Sequence, residues 1–585
     1  MSYNSGDILK GGDLDLTFGT GGKVKTDFFG AADTGRSVAI QSDSKIVVGG
    51  AVVNSGIKFG AVRYNANGTL DTTFALDGKF LIEIGGRGST CKSVGIQSNG
   101  NIILGGETAL HPTNFSAMGL VRLNTNGVLD TQFGYNDGKS FTPTFGYNNE
   151  YGLTLKILPD DKILQGGYGL TAPESYASFL LARHNANGLL DASFGNGGWT
   201  SVDFSGTSIL SSLAIQTDGK IVASGYGSLN TRECLSLARF NSNGTLDTSF
   251  GTNGKVQRDF GDNSYGNSVA LDASGRIVVG GSVGQTFLLT RYNSDGTVDN
   301  TFGTNGFTTV SSLGSNSVGN SVLILSSGKI LLGGKTRQEN NNENFALLCF
   351  NTNGTLDTTF GTGGRVTTNF FVTDMSTTGV YNTGYALALQ KNLPNDLIIF
   401  AGAANNGDFG VLRYYSKTYT VPWPVCFPSG TPVNTDQGSI EIQKIKPNVH
   451  TINNFKIIAV TKTVTLEDKI VCIKKNALGE NVPSQTTFIS KNHKILYNDE
   501  MIKAKHLVKK IEDVEFKEYN GEALYNVLLE TNNTMTVNNL IVETLDPKNM
   551  ISQLYNGKLN KADAQNIVVS INKLANEYKR FCTKN

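Results

Sequence analysis

Apolar and polar positions alternate in short runs along the first four hundred residues, and the same runs return. In the first stretch, "GKVKTDFF" alternates residue by residue. "RSVAIQSDSKIVVGG" holds two β-branched runs on either side of a Ser-Asp-Ser turn, and "KFGAVRYN" leads into the turn "ANGTLD". Apolar and β-branched runs of this length, bounded by Gly, Asn, Asp and Ser, predict four short strands. After residue 425 short strands continue without the repeat, as "SIEIQKI", "FKIIAVTKTVTL", "KIVCIKK", "ALYNVLLE" and "MTVNNLIVETL". Beyond Pro547, "NMISQLYNGKLNKADAQNIVVSINKLANEYKR" places apolar residues at helical spacing. That spacing predicts two amphipathic helices packed on the domain or on a partner.

The recurring unit is marked by "LDLTFGTGGKV", which begins at Leu14 and returns from Leu70, Leu129, Leu190, Leu246, Val298 and Leu356. The spacings are 56, 59, 61, 56, 52 and 58 residues. Seven copies in register at such a period denote a repeat architecture. Four strands in each of seven units fit a β-propeller, whose radial repetition protects the sheet edges. Gly68, Gly127, Gly188, Gly244, Gly296 and Gly354 each follow Asn or Asp, as turns with positive φ require. The strand "FGVLRYY", ending at Tyr415, completes the seventh set and places ring closure near residue 416. The fold class is therefore mainly β. A seven-bladed propeller spans 1–416, a proline-rich linker 417–425, a small all-β domain 426–547 and a helical C-terminal tail 548–585.

Composition narrows the chemistry. A net charge of +1 over 585 residues offers nothing for nucleic acid or an anionic membrane. The N-terminus lacks the basic and apolar regions of a secretory signal, and no apolar run reaches the roughly 20 residues of a membrane span. Six scattered cysteines and five dispersed histidines predict neither a disulfide framework nor a metal site, and no cofactor is implied. "NANGTLD" (Asn65, Asn67, Asp71) alternates oxygen ligands as a calcium loop does, but the glycine comes early and no bidentate Glu follows, so turn geometry is the better reading. His111 and His184 occur in different units with no matching carboxylate pattern and read as surface or packing residues. The propeller reads as a display or binding platform.

Cys426 opens the second segment in "VPWPVCFPSGTP". Pro422, Pro424 and Pro428 withhold backbone donors and restrict the residues before them, which holds the Val425–Cys426 bond extended. Cys472 alternates within a strand and reads as core, and Cys582 near the C-terminus reads as a free thiol.

Two resemblances follow from these motifs. The Asn-Gly-x-Leu-Asp-x-x-Phe-Gly core with its Ile-Val-x-Gly-Gly strand resembles the delta-60 repeat family, over about residues 10–415, which implies propeller architecture and leaves the ligand open. "CFPSGTPVNTDQGSIEIQKI", "TTFISKNHKILYNDEMIKAKHL" and "LYNVLLETNNTMTVNNLIVETL" are similar, in that order, to the Hint fold of inteins and Hedgehog autoprocessing domains. That second resemblance covers about residues 426–550. "NNLIVETLDPKN" looks most like Hint-type tails on virus-encoded proteins, giant viruses included. The Hint resemblance implies that Cys426 attacks the Val425 carbonyl to give a thioester, with His493 as general acid/base and Ser490 of the Ser-x-x-His element as orienting hydroxyl. His450 and Asp468 are the assisting candidates. Inteins end in His-Asn followed by a nucleophile, whereas Glu543 and Thr544 stand here, so the resemblance implies the first half-reaction without splicing.

The expected function is a virion-associated or surface protein that displays a propeller and self-cleaves at Val425–Cys426. Any enzyme activity is a single-turnover autoprocessing step. Expected partners are other virion or surface proteins, glycans or a host receptor. The alternative is a purely structural or receptor-binding fibre component in which Cys426 is inert and the Hint-like module only anchors.

Overall fold

The computed structural model describes residues 8–544 apart from 112–114, 144, 172–175, 312–313, 339–340, 371–380, 393–394, 406, 421–426, 448, 464–468, 509, 520–523 and 531–533. Cys426, Asp468 and the predicted tail over 548–585 therefore lie outside the described residues. The chain forms two compact units, one built on residues 10–391 and 396–418, the other on the chain from 419 with the short segments 1–9 and 392–395.

The first unit holds seven four-stranded antiparallel sheets. One blade runs Thr34–Ile40, Ile46–Val53, Ile57–Tyr64 and Lys79–Ile82 in spatial order. Its fourth strand belongs to the next copy of the repeat, so blade and repeat are offset by one strand. The last blade, Thr383–Asn392, Asn395–Ala404 and Asp408–Tyr415, consequently takes its fourth strand from the chain's beginning, Lys23–Thr26. The closing register runs from Lys23 opposite Leu412 to Thr26 opposite Phe409. The strand ending at Tyr415 thus closes the ring by pairing with an N-terminal strand. The last blade thus reaches four strands only by taking up the N-terminal one, which covers the edge of Asp408–Tyr415.

The repeat signature is a latch. In the first blade, Arg63 Nε donates to Asp71 Oδ2 at 2.7 Å, its guanidinium lies 4.7 Å over the Phe74 ring, and Nη1 donates to the Thr125 carbonyl of the next repeat. The same arrangement recurs at Arg122, Arg183, Arg239 and Arg291 with Asp130, Asp191, Asp247 and Asp299. Arg413 makes it with Asp15 across the closure, at 2.8 Å. The Asn-Gly turn completes the unit. Gly68 adopts φ +86°, and a Cβ there would meet Phe18 of the preceding repeat at 2.8 Å, so only glycine serves. One copy departs from the pattern: Cys349 stands at the arginine position, which leaves Asp357 to Lys329 Nζ at 2.6 Å, the counterpart of Lys45, Lys162 and Lys220 beside the arginines of other copies.

Neighbouring blades are also pinned through their innermost strands. In five blades this strand carries an irregularity in register at which a serine hydroxyl (Ser37, Ser93, Ser212, Ser268 or Ser321) accepts the next blade's backbone N–H. Ser37 serves Val94 at 3.0 Å, Ser93 serves Leu155 at 3.1 Å and Ser321 serves Leu387 at 3.1 Å.

The second unit packs three sheets around Phe427, Val433, Ile457, Val471, Ile489, Ile495, Val527 and Val542. Two sequence readings change here. "MTVNNLIVETL" is a hairpin, Thr534–Val537 with Leu540–Glu543, turning through Asn538 and Asn539 at φ 48° and 65°. Paired asparagines tolerate the left-handed conformation that a tight hairpin turn needs, which interrupts the predicted strand. "SIEIQKI" is strand only at Gly438–Glu441, followed by a 3-10 turn over Ile442–Lys444.

Candidate autoprocessing site

Phe427 and Pro428 form a short strand on Leu524–Leu529, with Phe427 opposite Tyr525 and Pro428 opposite Leu524. Proline withholds a backbone donor, which fits a short strand at the edge of its sheet. The next residue along the partner strand is Asn526, fully buried, whose side-chain oxygen accepts from the Val527 N–H at 2.7 Å.

The Phe427 ring lies 4.5 Å from the imidazole of His493. His493 follows the strand Thr487–Ile489 through a tight turn in which its own N–H donates to the Ser490 carbonyl at 3.1 Å. The turn is fixed from the other side by Ala504 N–H on the His493 carbonyl and Lys505 N–H on the Lys491 carbonyl, both 2.8 Å. Ser490 and His493, three residues apart, are thus held in one turn and both are buried.

His493 Nε2 lies 2.8 Å from the Glu543 carbonyl oxygen. A carbonyl only accepts, so Nε2 carries the proton and Nδ1 is left as the basic nitrogen. Nδ1 is buried without a hydrogen-bond partner among the described residues. Burial, opposed only by the Glu543 bond, lowers the His493 pKa to about 4. The imidazole is therefore neutral at neutral pH, able to accept a proton and quick to pass it on.

Glu543 supplies the carbonyl that fixes the His493 tautomer. Its carboxylate accepts from Lys494 N–H at 3.0 Å and pairs with Lys494 Nζ at 3.4 Å. Sequence reasoning passed over Asn492 and Asn526, which are buried polar residues of this domain. Their signal was polarity inside apolar runs.

The remaining candidates separate. His450 is half-buried and engaged within its own turn, where Nδ1 accepts from Lys446 N–H at 2.9 Å. Cys472 is buried on the strand Lys469–Ile473. In the propeller, His184 is a core residue whose Nδ1 donates to the Gly188 carbonyl at 3.1 Å, and burial lowers its pKa to about 4. His111 lies exposed at the end of a strand. In "NANGTLD" the Asn67 side-chain oxygen takes the Thr69 N–H at 3.0 Å and hydroxyl at 2.8 Å, and Asp71 takes Arg63, Lys45 and Thr73. The oxygens of this loop are thus engaged by its own turn and latch donors. No group of metal-binding side chains occurs among the described residues. None of the helices among them is long and apolar enough to cross a membrane.

Comparison with known proteins places both halves. The model of the domain of unknown function DUF5122, a β-propeller family, matches at 41–74, 97–133, 158–194, 216–250, 273–302 and 325–360. The Hint domain model matches residues 425–549. No curated protein matches the chain. Among solved structures, virginiamycin B lyase from Staphylococcus aureus aligns over 67% of this chain and 98% of its own, at 8% identity and a TM-score of 0.38. Sqt1 from Chaetomium thermophilum aligns over 66% and 96%, at 12% identity and 0.33. Likenesses of that size carry nothing about ligand or activity. The chain joins a propeller of DUF5122-type repeats to a C-terminal Hint domain.

Proposed function

We propose that this protein displays its propeller and cuts it from the Hint domain, by attack of Cys426 on the peptide bond before it. The observation that carries the reading is His493. It is buried, with Nε2–H held by Glu543 and a basic Nδ1 without a partner, and it packs on the residue that follows Cys426.

In the proposed step, His493 Nδ1 takes the thiol proton and Cys426 Sγ adds to the Val425 carbonyl carbon. The carbonyl–nitrogen bond then breaks as the imidazolium returns the proton to the leaving amine, and a thioester replaces the amide. Because burial disfavours the imidazolium, the proton transfer to nitrogen is downhill. Water or another nucleophile attacks the thioester, frees residues 1–425 as an acid or a conjugate, and regenerates the thiol. Ser490, in the His493 turn, orients the scissile amide. Without a terminal His-Asn, no cyclisation follows and splicing is not part of the reaction. Placement on a virion surface or fibre, contacting other surface proteins or a host receptor, rests on the likeness of "NNLIVETLDPKN" to virus-encoded Hint tails.

Intact mass of freshly expressed protein, with and without added thiol, tests the reading. A break between Val425 and Cys426, accelerated by thiol and absent from Cys426→Ala and His493→Gln, is expected. A single full-length mass under every condition overturns it and leaves the Hint domain as an anchoring module.

A further inference from the structure

One open cavity of about 510 Å³ lies on the propeller where the first two blades meet the third. Its lining departs from the repeat at the opening of the inner strand and at Glu107. The sequence around it, "IGGRGST", opens an unusually long inner strand, Gly86–Ile96, with a bulge. Gly86 pairs with Leu110 and Ser89 with Thr108, so Arg87 and Gly88 together oppose one residue. Gly86 and Gly88 hold φ +87° and +100°, conformations that a side-chain-bearing residue rarely adopts. A bulge built this way re-aims the side chain it carries, and here that side chain is the exposed guanidinium of Arg87.

The lining also holds Glu83, Thr90, Glu107, Ser116 and Tyr151. The position of Glu107, just after the paired small residues of the second strand, is Ala51, Tyr168, Tyr226, Ser282, Lys335 and Ala403 in the other blades. The shared fold therefore does not ask for a carboxylate there. Glu107 is held by Lys92 Nζ at 3.2 Å. Tyr151 has one ring face stacked on Tyr168, with centroids 4.7 Å apart and planes 18° apart, and it borders the cavity. The aromatic strip continues around the ring. Burial, with Tyr151, Glu107 and Tyr226 close by, pushes the Tyr168 phenol up to about 12, and Tyr226 packs edge-on against Tyr265 at 4.9 Å. Tyr265 in turn donates to Glu233.

We propose that this cavity and strip bind a neutral pyranose oligosaccharide. The chemistry matches group for group. The polarised C–H face of a pyranose suits the negative face of a tyrosine ring. Carboxylates at Glu83 and Glu107 accept sugar hydroxyl protons in charge-assisted bonds, and the Arg87 guanidinium donates to ring and hydroxyl oxygens. With Lys92 on Glu107, two carboxylates and two cations balance, so the site carries no excess positive charge to select an anionic ligand. A volume near 510 Å³ suits a short saccharide, and the Tyr168–Tyr226–Tyr265 strip extends the track for further residues. The inference deepens the reading of the propeller as a binding platform and is independent of cleavage, which mass alone reports.

A printed array of neutral and sialylated oligosaccharides, probed with the full chain carrying Cys426→Ala, tests it. Retention of neutral glycans is expected, with affinity falling about tenfold in Tyr151→Ala through lost ring stacking and about tenfold in Glu107→Gln through a lost charge-assisted acceptor. Tyr151→Phe keeps the ring and should bind within about threefold of the parent, which separates stacking from misfolding. No retained glycan, retention of sialylated glycans alone, or affinity unchanged in both damaging variants overturns the proposal.

Discussion

Replacing Arg413 by methionine should open the ring more than any equivalent change elsewhere. Arg413 Nε and Nη2 meet Asp15 Oδ2 at 2.8 and 2.7 Å. Its other donors reach Gln390 Oε1 at 3.0 Å, Thr17 Oγ1 at 3.3 Å and the Ala66 carbonyl, and the guanidinium lies 4.6 Å over Phe18. Both partners of the ion pair have side chains at most 6% exposed. Removing one leaves a buried carboxylate without its counter-charge, which costs about 3–5 kcal/mol. Replacing both, as Arg413→Met with Asp15→Leu, removes the charge imbalance and should recover most of that. A residue of about 1–2 kcal/mol should remain for the bonds Asp15 makes to Thr17 N–H and hydroxyl. Arg239→Met breaks the same latch inside continuous chain, so it should cost the same energy yet leave the closure intact. Urea unfolding of the full chain in a Trp423→Phe background, read by Trp199, gives the energies. Protease cleavage within residues 10–26 reports loosening of the closing strand. A loss under about 1 kcal/mol for Arg413→Met, or equal protection of residues 10–26 in both single variants, would refute the latch argument.

Two further outcomes follow from the same geometry. Lys329→Met should cost about 2 kcal/mol because Asp357 has Lys329 at 2.6 Å and a cysteine, Cys349, where its sisters have arginine. Lys45→Met, beside an Asp71 still held by Arg63 at 2.7 Å, should cost under about 1 kcal/mol in the same urea assay. Acid should destabilise both units through buried histidines, since His184 and His493 have folded values of about 4 against an ordinary 6.5. The unfolded chain binds the proton first, so this stability is whole above about pH 6.5 and is lost as pH falls toward 4, up to about 3 kcal/mol for each histidine. His184→Phe, the residue at the matching position in two other blades (Phe240 and Phe350), should reduce the shift in urea midpoint between pH 7 and 4.5. An unchanged shift would contradict the assignment.

The repeat made the propeller legible because its seven copies carry the same local instructions. What it concealed was non-local. The offset between repeat and blade follows from Lys23–Thr26 pairing with a strand almost four hundred residues away, and nothing near Lys23 states that partner. The latch was half legible: "LD" stood out, while its arginine eight residues earlier, as in Arg63 and Asp71, hides among alternating strand residues. In the Hint domain the Ser490–His493 spacing places both in one turn, which the sequence could say. That Glu543, fifty residues later, fixes the His493 tautomer is a product of tertiary packing. Asn538-Asn539 was readable as a hairpin turn, yet it was flanked by apolar runs long enough to pass for one strand.

The strand ladders also bear on why a cut at residue 425 is tolerable. Every propeller sheet is drawn from residues 23–415, and the small ladder of Ile8–Leu9 with Tyr419–Thr420 also lies before the bond. Every Hint sheet is drawn from residues 427–543. Hydrolysis of Val425–Cys426 therefore breaks no described ladder on either side, and the latch from Arg413 to Asp15 remains within one fragment. In the proposed reaction the propeller fragment would keep its closing ladder, and the cysteine would stay on the fragment that holds the histidine. One peptide bond thus divides the described ladders into two sets, and the proposed chemistry at Cys426 acts on that bond.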